Sequence, residues 1–299
     1  MSKQKQTLFR GAATALVTPF CDGRIDFEAF GRLIDRQIEQ GIEALVVVGS
    51  TGESATLTEK EKIALIAYAA ARVDGRVPLI AGSGCADTAH TMQLSREACA
   101  AGADALLVVT PYYNRPSQAG LYAHFCAVAD HAGLPIILYH IPGRTGVTLT
   151  LDTYDRLAEH PNIIGVKDAG VDMAATARLI RSCGDRLDVY SGNDELTVPV
   201  LSVGGVGVIS VLSNVMPREV HDVCRLWREG KPRLAGARAA SMGALTEALF
   251  ADSNPGPVKT ALELLSLCRA EVRLPLLPPS EAVREELRRQ LRARHMLRE

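Results

Sequence analysis

The chain carries 33 Lys plus Arg, of which only seven are lysines, so a lysine inside an apolar run is not its default basic residue. Lys167 is such a residue: it closes the run Asn162-Ile163-Ile164-Gly165-Val166-Lys167-Asp168. Arginine keeps its proton in proteins, whereas a partly buried lysine can lose it. Desolvation disfavours the ammonium, and the neutral amine is a nucleophile towards carbonyl carbon. Position alone leaves two readings open. One is a Schiff-base lysine; the other is a barrel or sheet lysine paired with a carboxylate such as Asp168.

Other chemistry-bearing residues also follow apolar runs. Gly49-Ser50-Thr51-Gly52-Glu53-Ser54 sets two hydroxyls between glycines. Such a turn either binds a carboxylate or phosphate through its N–H groups or simply caps the next helix. Thr110-Pro111-Tyr112-Tyr113-Asn114-Arg115-Pro116 carries adjacent tyrosines, suited to a site or to a subunit interface. Tyr139-His140-Ile141-Pro142-Gly143-Arg144-Thr145-Gly146 ends a strand-like run with a phenol that could move a proton. Arg144, in a Pro-Gly turn, is a candidate fork for a substrate carboxylate. The plain alternatives are a packed ring with a satisfied hydroxyl and a surface salt bridge. Ser191-Gly192-Asn193-Asp194 and Ile209-Ser210 follow two further runs. There is no His-Glu-x-x-His, P-loop or Gly-x-Ser-x-Gly pattern.

These residues need a scaffold that gathers run ends at one place. Short runs rich in Val, Ile and Leu span 11–17, 44–48, 78–81, 105–109, 136–139, 163–166, 187–190 and 206–209, with the look of parallel strands covered by helices. Helical patterns lie between them at 27–40, 59–73, 87–101, 117–131, 151–160, 173–183 and 194–203. Eight strand–helix units with right-handed crossovers predict an α/β fold, a (β/α)8 TIM barrel with its site at the C-terminal strand ends. A doubly wound open sheet competes, but Gly82-Ser83-Gly84 lacks the third glycine of its phosphate turn. Past Val220 the pattern becomes helical only, at 219–229, 234–250, 257–267 and 279–297, punctuated by prolines. We therefore expect a catalytic barrel over 1–225 and a C-terminal helical appendage over 226–299, packed on the barrel or on a neighbouring subunit.

Bulk properties narrow the function classes. A composition 47% hydrophobic and 22% charged supports a sizeable core, and a formal charge of −1 gives no basic field for nucleic acid or an anionic membrane. The stretch between Glu195 and Arg218 is uncharged, but Pro199 and three glycines break it, against a membrane span. Seven scattered cysteines without a Cys-x-x-Cys suggest reduced thiols in a cytoplasmic protein, without a disulfide framework or a zinc site.

Taken together, the Gly49–Ser54, Tyr139–Gly146 and Gly165–Asp168 segments resemble the signatures of the pyruvate-dependent class I aldolases. That family includes the dihydrodipicolinate synthases and the N-acetylneuraminate lyases. The resemblance covers nearly the whole chain, through Pro111–Pro116, Gly204–Ser210 and Asn254-Pro255-Gly256-Pro257-Val258-Lys259. Gly143-Arg144-Thr145 and the Tyr112-Tyr113 loop favour the synthase branch. The resemblance implies that Lys167 forms an imine with pyruvate and that Tyr139 moves protons beside it. Ser50 and Tyr113 complete a hydroxyl relay, with Tyr113 reaching in from a neighbouring subunit. Thr51, with Ser50, holds the pyruvate carboxylate, Gly192 and Ile209 line the pocket, and Arg144 binds the carboxylate end of L-aspartate 4-semialdehyde. It further implies 4-hydroxy-tetrahydrodipicolinate as product, on the way to lysine, no metal or other cofactor, and a homo-oligomer, commonly a tetramer built as a dimer of dimers.

Two departures from the family pattern stand out: Ser50 where the synthases usually carry threonine, and His140 where asparagine is common. In lysine-inhibited members an interface site uses histidine, asparagine and glutamate; the matching positions here are Glu59, Lys62, Ala86 and His90, with Ser54, Ala55 and Tyr112 kept. Weak or absent feedback by lysine is expected. The competing functions are an aldolase for a sialic acid or a 2-keto-3-deoxy sugar acid, and a catalytically silent pyruvate-binding protein.

Overall fold

A computed structural model describes residues 5–297. Eight parallel strands close a barrel in chain order: β1 (Gly11–Ala15), β2 (Ala44–Val47), β3 (Leu79–Gly82), β4 (Ala105–Val109), β5 (Ile136–His140), β6 (Ile163–Asp168), β7 (Asp188–Ser191) and β8 (Gly207–Ser210). Their runs are apolar throughout because both faces are covered. One face looks into the barrel, where Ala13, Val46, Ile80, Leu107, Ile137 and Ile209 meet. The other meets the helices, through Leu45, Leu106, Leu138, Val166, Val189 and Val208. Closure pairs Gly11 with Gly207 and Ala13 with Ile209. A Cβ on Gly207 would lie 1.9 Å from the Gly11 carbonyl oxygen, so only glycine allows the first and last strands to meet there. Beneath the barrel the Phe9 ring stacks on Tyr190 at 4.4 Å, and the Tyr190 hydroxyl donates to the Phe9 carbonyl at 2.8 Å. That plug leaves the C-terminal strand ends as the open face.

The barrel helices are α1 (Phe27–Glu39), α2 (Glu59–Val73), α3 (Thr88–Ala100), α4 (Gln118–His131), α5 (Leu151–Ala158), α6 (Met173–Cys183), α7 (Thr197–Ser202) and α8 (Pro217–Arg228). Side-chain caps start six of them: Asp26, Thr58, Asp87, Ser117, Thr150 and Asp172 each accept a backbone N–H of the first turn. The appendage is α9 (Pro232–Leu249), α10 (Gly256–Leu264) and α11 (Glu281–Arg292). Leu245, Leu249, Leu262, Leu287 and Leu291 bury its apolar faces in the same core that lies between barrel and helices.

The expected boundary at 225/226 falls inside α8, which carries Val220, Val223 and Cys224 into the core. The pattern at 194–203 divides into a 3-10 turn, Asp194–Leu196, and the short α7. A small hairpin, Phe20–Cys21 against Arg24–Ile25, and a single helical turn, Pro142–Thr145, had no periodicity long enough to announce them. Among the described residues no helix is long and apolar enough to cross a membrane. All seven cysteines are free thiols.

Candidate active site

The site is built on β5 and β6, whose register sets Tyr139 beside Lys167 and His140 beside Asp168. Side chains alternate along a strand. Ile163 faces the helices, so strict alternation would send Lys167 outwards as well. The pairing shifts there: Ile136 faces Ile163, while Ile137 faces Gly165, leaving Ile164 as an extra residue. This bulge reverses the facing of everything beyond it, which is how bulges re-aim side chains near active sites. Val166 and Asp168 then point outwards and Lys167 points into the barrel. Gly165 fits the bulge because a Cβ there would come 2.8 Å from the Asp188 carbonyl oxygen.

This geometry removes one candidate partner of Lys167. Asp168 is not its partner. On the outer face Asp168 accepts from His140 Nδ1 at 2.9 Å, Thr176 Oγ1 at 2.6 Å and the Gly170 N–H at 3.0 Å. Burial pushes its carboxyl up, but these hydrogen bonds outweigh it and hold the pKa below the ordinary carboxylate value. The Lys167 residue is only 4% exposed, and its side chain makes no hydrogen bond or ion pair among the described residues. Its Nζ lies 4.2 Å from the centroid of the Tyr139 ring. Burial alone does not select it, since Lys259 is more deeply buried; but Lys259 is tied to Glu53 at 2.6 Å. The charge of Lys167 acts on Asp194 in the strand-end loops. The Asp194 carboxyl is pushed above the ordinary value by burial, against hydrogen bonds from Ser210 and two N–H groups and the charge of Lys167.

Around this pair the other expected residues fall into three groups. Ile209 packs inside the barrel with Tyr139, and Gly192 sits against the β6 end, its N–H donating to the Asp168 carbonyl at 2.6 Å. A Cβ on Gly192 would stand 2.6 Å from the Ala169 Cβ, so the close approach requires glycine. Ser50 and Arg144 line one cavity of about 520 Å³ at the open face, together with Thr145 and Asn254. Thr51 is buried next to it. Arg144 lies in the helical turn Pro142–Thr145, not in an open Pro-Gly turn; Pro142 starts that turn and Gly146, at φ 69°, ends it. Tyr113 is not gathered with the rest. It is 90% exposed, with φ 71°, and shares an open outer cavity with Arg115 and Arg144.

Asn254 is the residue whose place sequence reading missed. Its side-chain amide donates to Thr51 Oγ1 at 2.9 Å, and its carbonyl accepts from Arg144 Nη2 at 3.1 Å. It therefore joins the hydroxyl turn to the guanidinium, and leaves the Thr51 hydroxyl proton free for another acceptor. It stands 203 residues from Thr51 and 110 from Arg144 in sequence, so no local spacing reveals it. The one signal is that Asn254 opens the Asn254–Lys259 segment through which the resemblance runs.

An inward amine beside a phenol, a hydroxyl turn and an arginine at one rim can form an imine, move a proton next to it and hold two carboxylates. No cluster of three His, Cys, Asp or Glu side chains that could hold a metal ion occurs among the described residues.

Known proteins share this architecture. The model of the dihydrodipicolinate synthetase family matches residues 8–294. The 4-hydroxy-tetrahydrodipicolinate synthase of Pelobacter propionicus (strain DSM 2379 / NBRC 103807 / OttBd1) is 45% identical over 280 residues, covering 94% of this chain and 97% of its own. The chloride-inhibited dihydrodipicolinate synthase of Acinetobacter baumannii, solved with pyruvate, superposes with a TM-score of 0.95 at 41% identity, covering 97% of this chain and 100% of its own. The enzyme of Cyanidioschyzon merolae, solved with lysine bound, gives 0.94 at 38% identity, covering 98% and 100%.

Proposed function

The chain belongs to the dihydrodipicolinate synthetase family, and from that premise we propose how its residues carry out the condensation of pyruvate with L-aspartate 4-semialdehyde. It is a lyase of the class I aldolase type, acting towards lysine and diaminopimelate. The observation that carries the site assignment is the inward Lys167 amine, free of hydrogen bonds and ion pairs and 4.2 Å from the Tyr139 ring.

Lys167 attacks the ketone carbon of pyruvate as the neutral amine, and water leaves to give the imine. The imine draws electrons from the methyl group, so that a nearby base can take a methyl proton and leave an enamine. Tyr139 is the proton carrier, with Ser50 continuing the relay. Ser50, Thr51 and their backbone hold the pyruvate carboxylate; Gly192 and Ile209 wall the pocket. The enamine carbon adds to the aldehyde carbon of the second substrate. Its amino group then closes the ring onto the imine carbon, and the Lys167 amine departs with 4-hydroxy-tetrahydrodipicolinate formed.

Arg144 is the carboxylate fork for the aldehyde substrate. Its exposure at the cavity rim and its anchoring by the Asn254 carbonyl support that role. Arg144→Gln is expected to raise KM for aspartate semialdehyde about 10- to 10²-fold, since hydrogen bonds to charged groups contribute about 1.5–3 kcal/mol. KM for pyruvate should stay within about two-fold. A coupled assay of aspartate semialdehyde against sugar aldehydes tests the substrate. Higher kcat/KM with a sugar aldehyde would move the chain to a sugar-acid aldolase.

The exposed Tyr113 supports an assembly in which it completes a neighbour's site, and we place the chain in a homo-oligomer, a dimer of dimers; a native mass of one chain would oppose this. Weak lysine feedback follows from the outer part of the same cavity. Lys62, Ala86 and His90 line it beside Ser54, Ala55 and Tyr112, while Glu59 is engaged by His90 at 2.8 Å. A cationic amino acid meets Lys62 there and finds Glu59 already paired. L-Lysine titrated against the condensation should leave most of the activity at millimolar concentration; strong micromolar inhibition would contradict this.

A further inference from the structure

The turn that carries Ser50 and Thr51 ends in Glu53, whose φ of 56° lies in the left-handed region that non-glycine residues enter at a cost. Its carboxylate is held from the far side of the turn. Oε1 accepts from Lys259 Nζ at 2.6 Å, and Oε2 accepts from the Arg273 N–H at 3.0 Å. Both side chains of the Glu53–Lys259 pair are wholly buried. Lys259 lies on α10, and Arg273 follows it before α11, so both donors belong to the appendage. Phe20 fills the space between them, with Lys259 Nζ 4.2 Å and Arg273 Cζ 4.4 Å from its ring centroid. The guanidinium of Arg273 continues to Glu61 at 2.6 and 2.8 Å and to the Thr56 carbonyl at 3.1 Å.

A surface ion pair could be lost at little cost, but a buried one leaves an uncompensated charge when a partner goes. Neither side chain of the pair is exposed, although Glu53 borders the cavity of Ser50 and Arg144. Its reach is through the turn. The Glu53 N–H donates to the Ser50 carbonyl at 3.1 Å, the Ser54 N–H to the Gly49 carbonyl at 3.3 Å and Thr18 Oγ1 to the Gly52 carbonyl at 2.7 Å. Displacing Glu53 therefore moves Ser50 and Thr51.

We infer that the Glu53–Lys259 pair is a positioning device by which the C-terminal appendage sets the barrel's affinity for the pyruvate carboxylate. This rests on the reading of the Ser50–Thr51 turn as the carboxylate holder. Glu53→Gln is the sharp probe: it keeps the shape but turns an N–H₂ towards Lys259 or the Arg273 N–H, donor against donor. A misplacement of about 1 Å near reacting groups costs on the order of 10²-fold. KM for pyruvate should rise about 10- to 10²-fold, with KM for the aldehyde unchanged. The double variant Glu53→Leu, Lys259→Met removes both charges and should regain thermal stability, as buried pairs replaced by apolar residues do. Its KM for pyruvate should nonetheless remain raised. Return of KM to the parent value together with Tm, or an equal rise in both KM values, would show the pair to be structural only. Borohydride trapping of the parent separates the two claims. No pyruvate adduct on the parent would remove the site reading and this inference with it; an adduct with unchanged KM in the variants would remove the inference alone.

Discussion

Lys167→Arg should stop turnover, with kcat down at least ~10⁴-fold, about 5 kcal/mol of lost transition-state stabilisation. The substitution keeps the positive charge and most of the length, so the barrel keeps its packing. A guanidinium does not deprotonate and cannot add to a ketone. Two measurements check this: the coupled assay for kcat, and mass analysis after borohydride reduction with pyruvate, which should show no adduct. Substantial residual turnover, within about ten-fold of the parent, would mean that a different group activates pyruvate. The only other buried lysine among the described residues, Lys259, is locked to Glu53 at 2.6 Å and cannot take over.

Tyr139→Phe should lower kcat about 10²- to 10⁴-fold, the range for a positioned proton carrier, while imine formation on Lys167 persists at a reduced rate. The ring remains, so the packing against Ile137 and Ile209 and the aromatic face over Lys167 Nζ are conserved. Only the hydroxyl is lost. Exchange of the pyruvate methyl protons with solvent deuterium reads the step directly: it should slow in proportion to kcat. If exchange continues at the parent rate while condensation falls, Tyr139 serves the aldehyde step and not enamine formation.

The barrel itself was legible because its strands are buried on both faces and its helices are capped; α2 begins and ends at 59 and 73 as its pattern implies, between Thr58 and Asp74. The strand that matters most was legible only in part. The run ending at Lys167 announces a buried strand, but not the Ile164 bulge that turns the lysine inwards, because a bulge is a property of pairing with β5 and leaves the apolar run unchanged. The open choice between an imine lysine and an Asp168 ion pair was a question of facing, and facing needed the neighbouring strand. The turn holding Arg144 is too short to show a helical period. The start of the appendage has no sharp mark in the sequence, because α8 is as amphipathic as its neighbours. Asn254 and Lys259 were part of a recognisable segment, yet their partners Thr51 and Glu53 lie over two hundred residues away. Tyr113 faces solvent within a single chain, so the place expected for it in a neighbour's site does not show in one chain.

The account stands on one bond, between Lys167 Nζ and the ketone carbon of pyruvate. Incubating the unmodified protein with pyruvate, reducing with borohydride and mapping the modified peptide tests it most directly. The account predicts one reduced pyruvate adduct per chain, on Lys167, which disappears when the aldehyde substrate is added before reduction and turnover consumes the pyruvate. An adduct on another lysine, or none at all in a protein that still turns over, would contradict it.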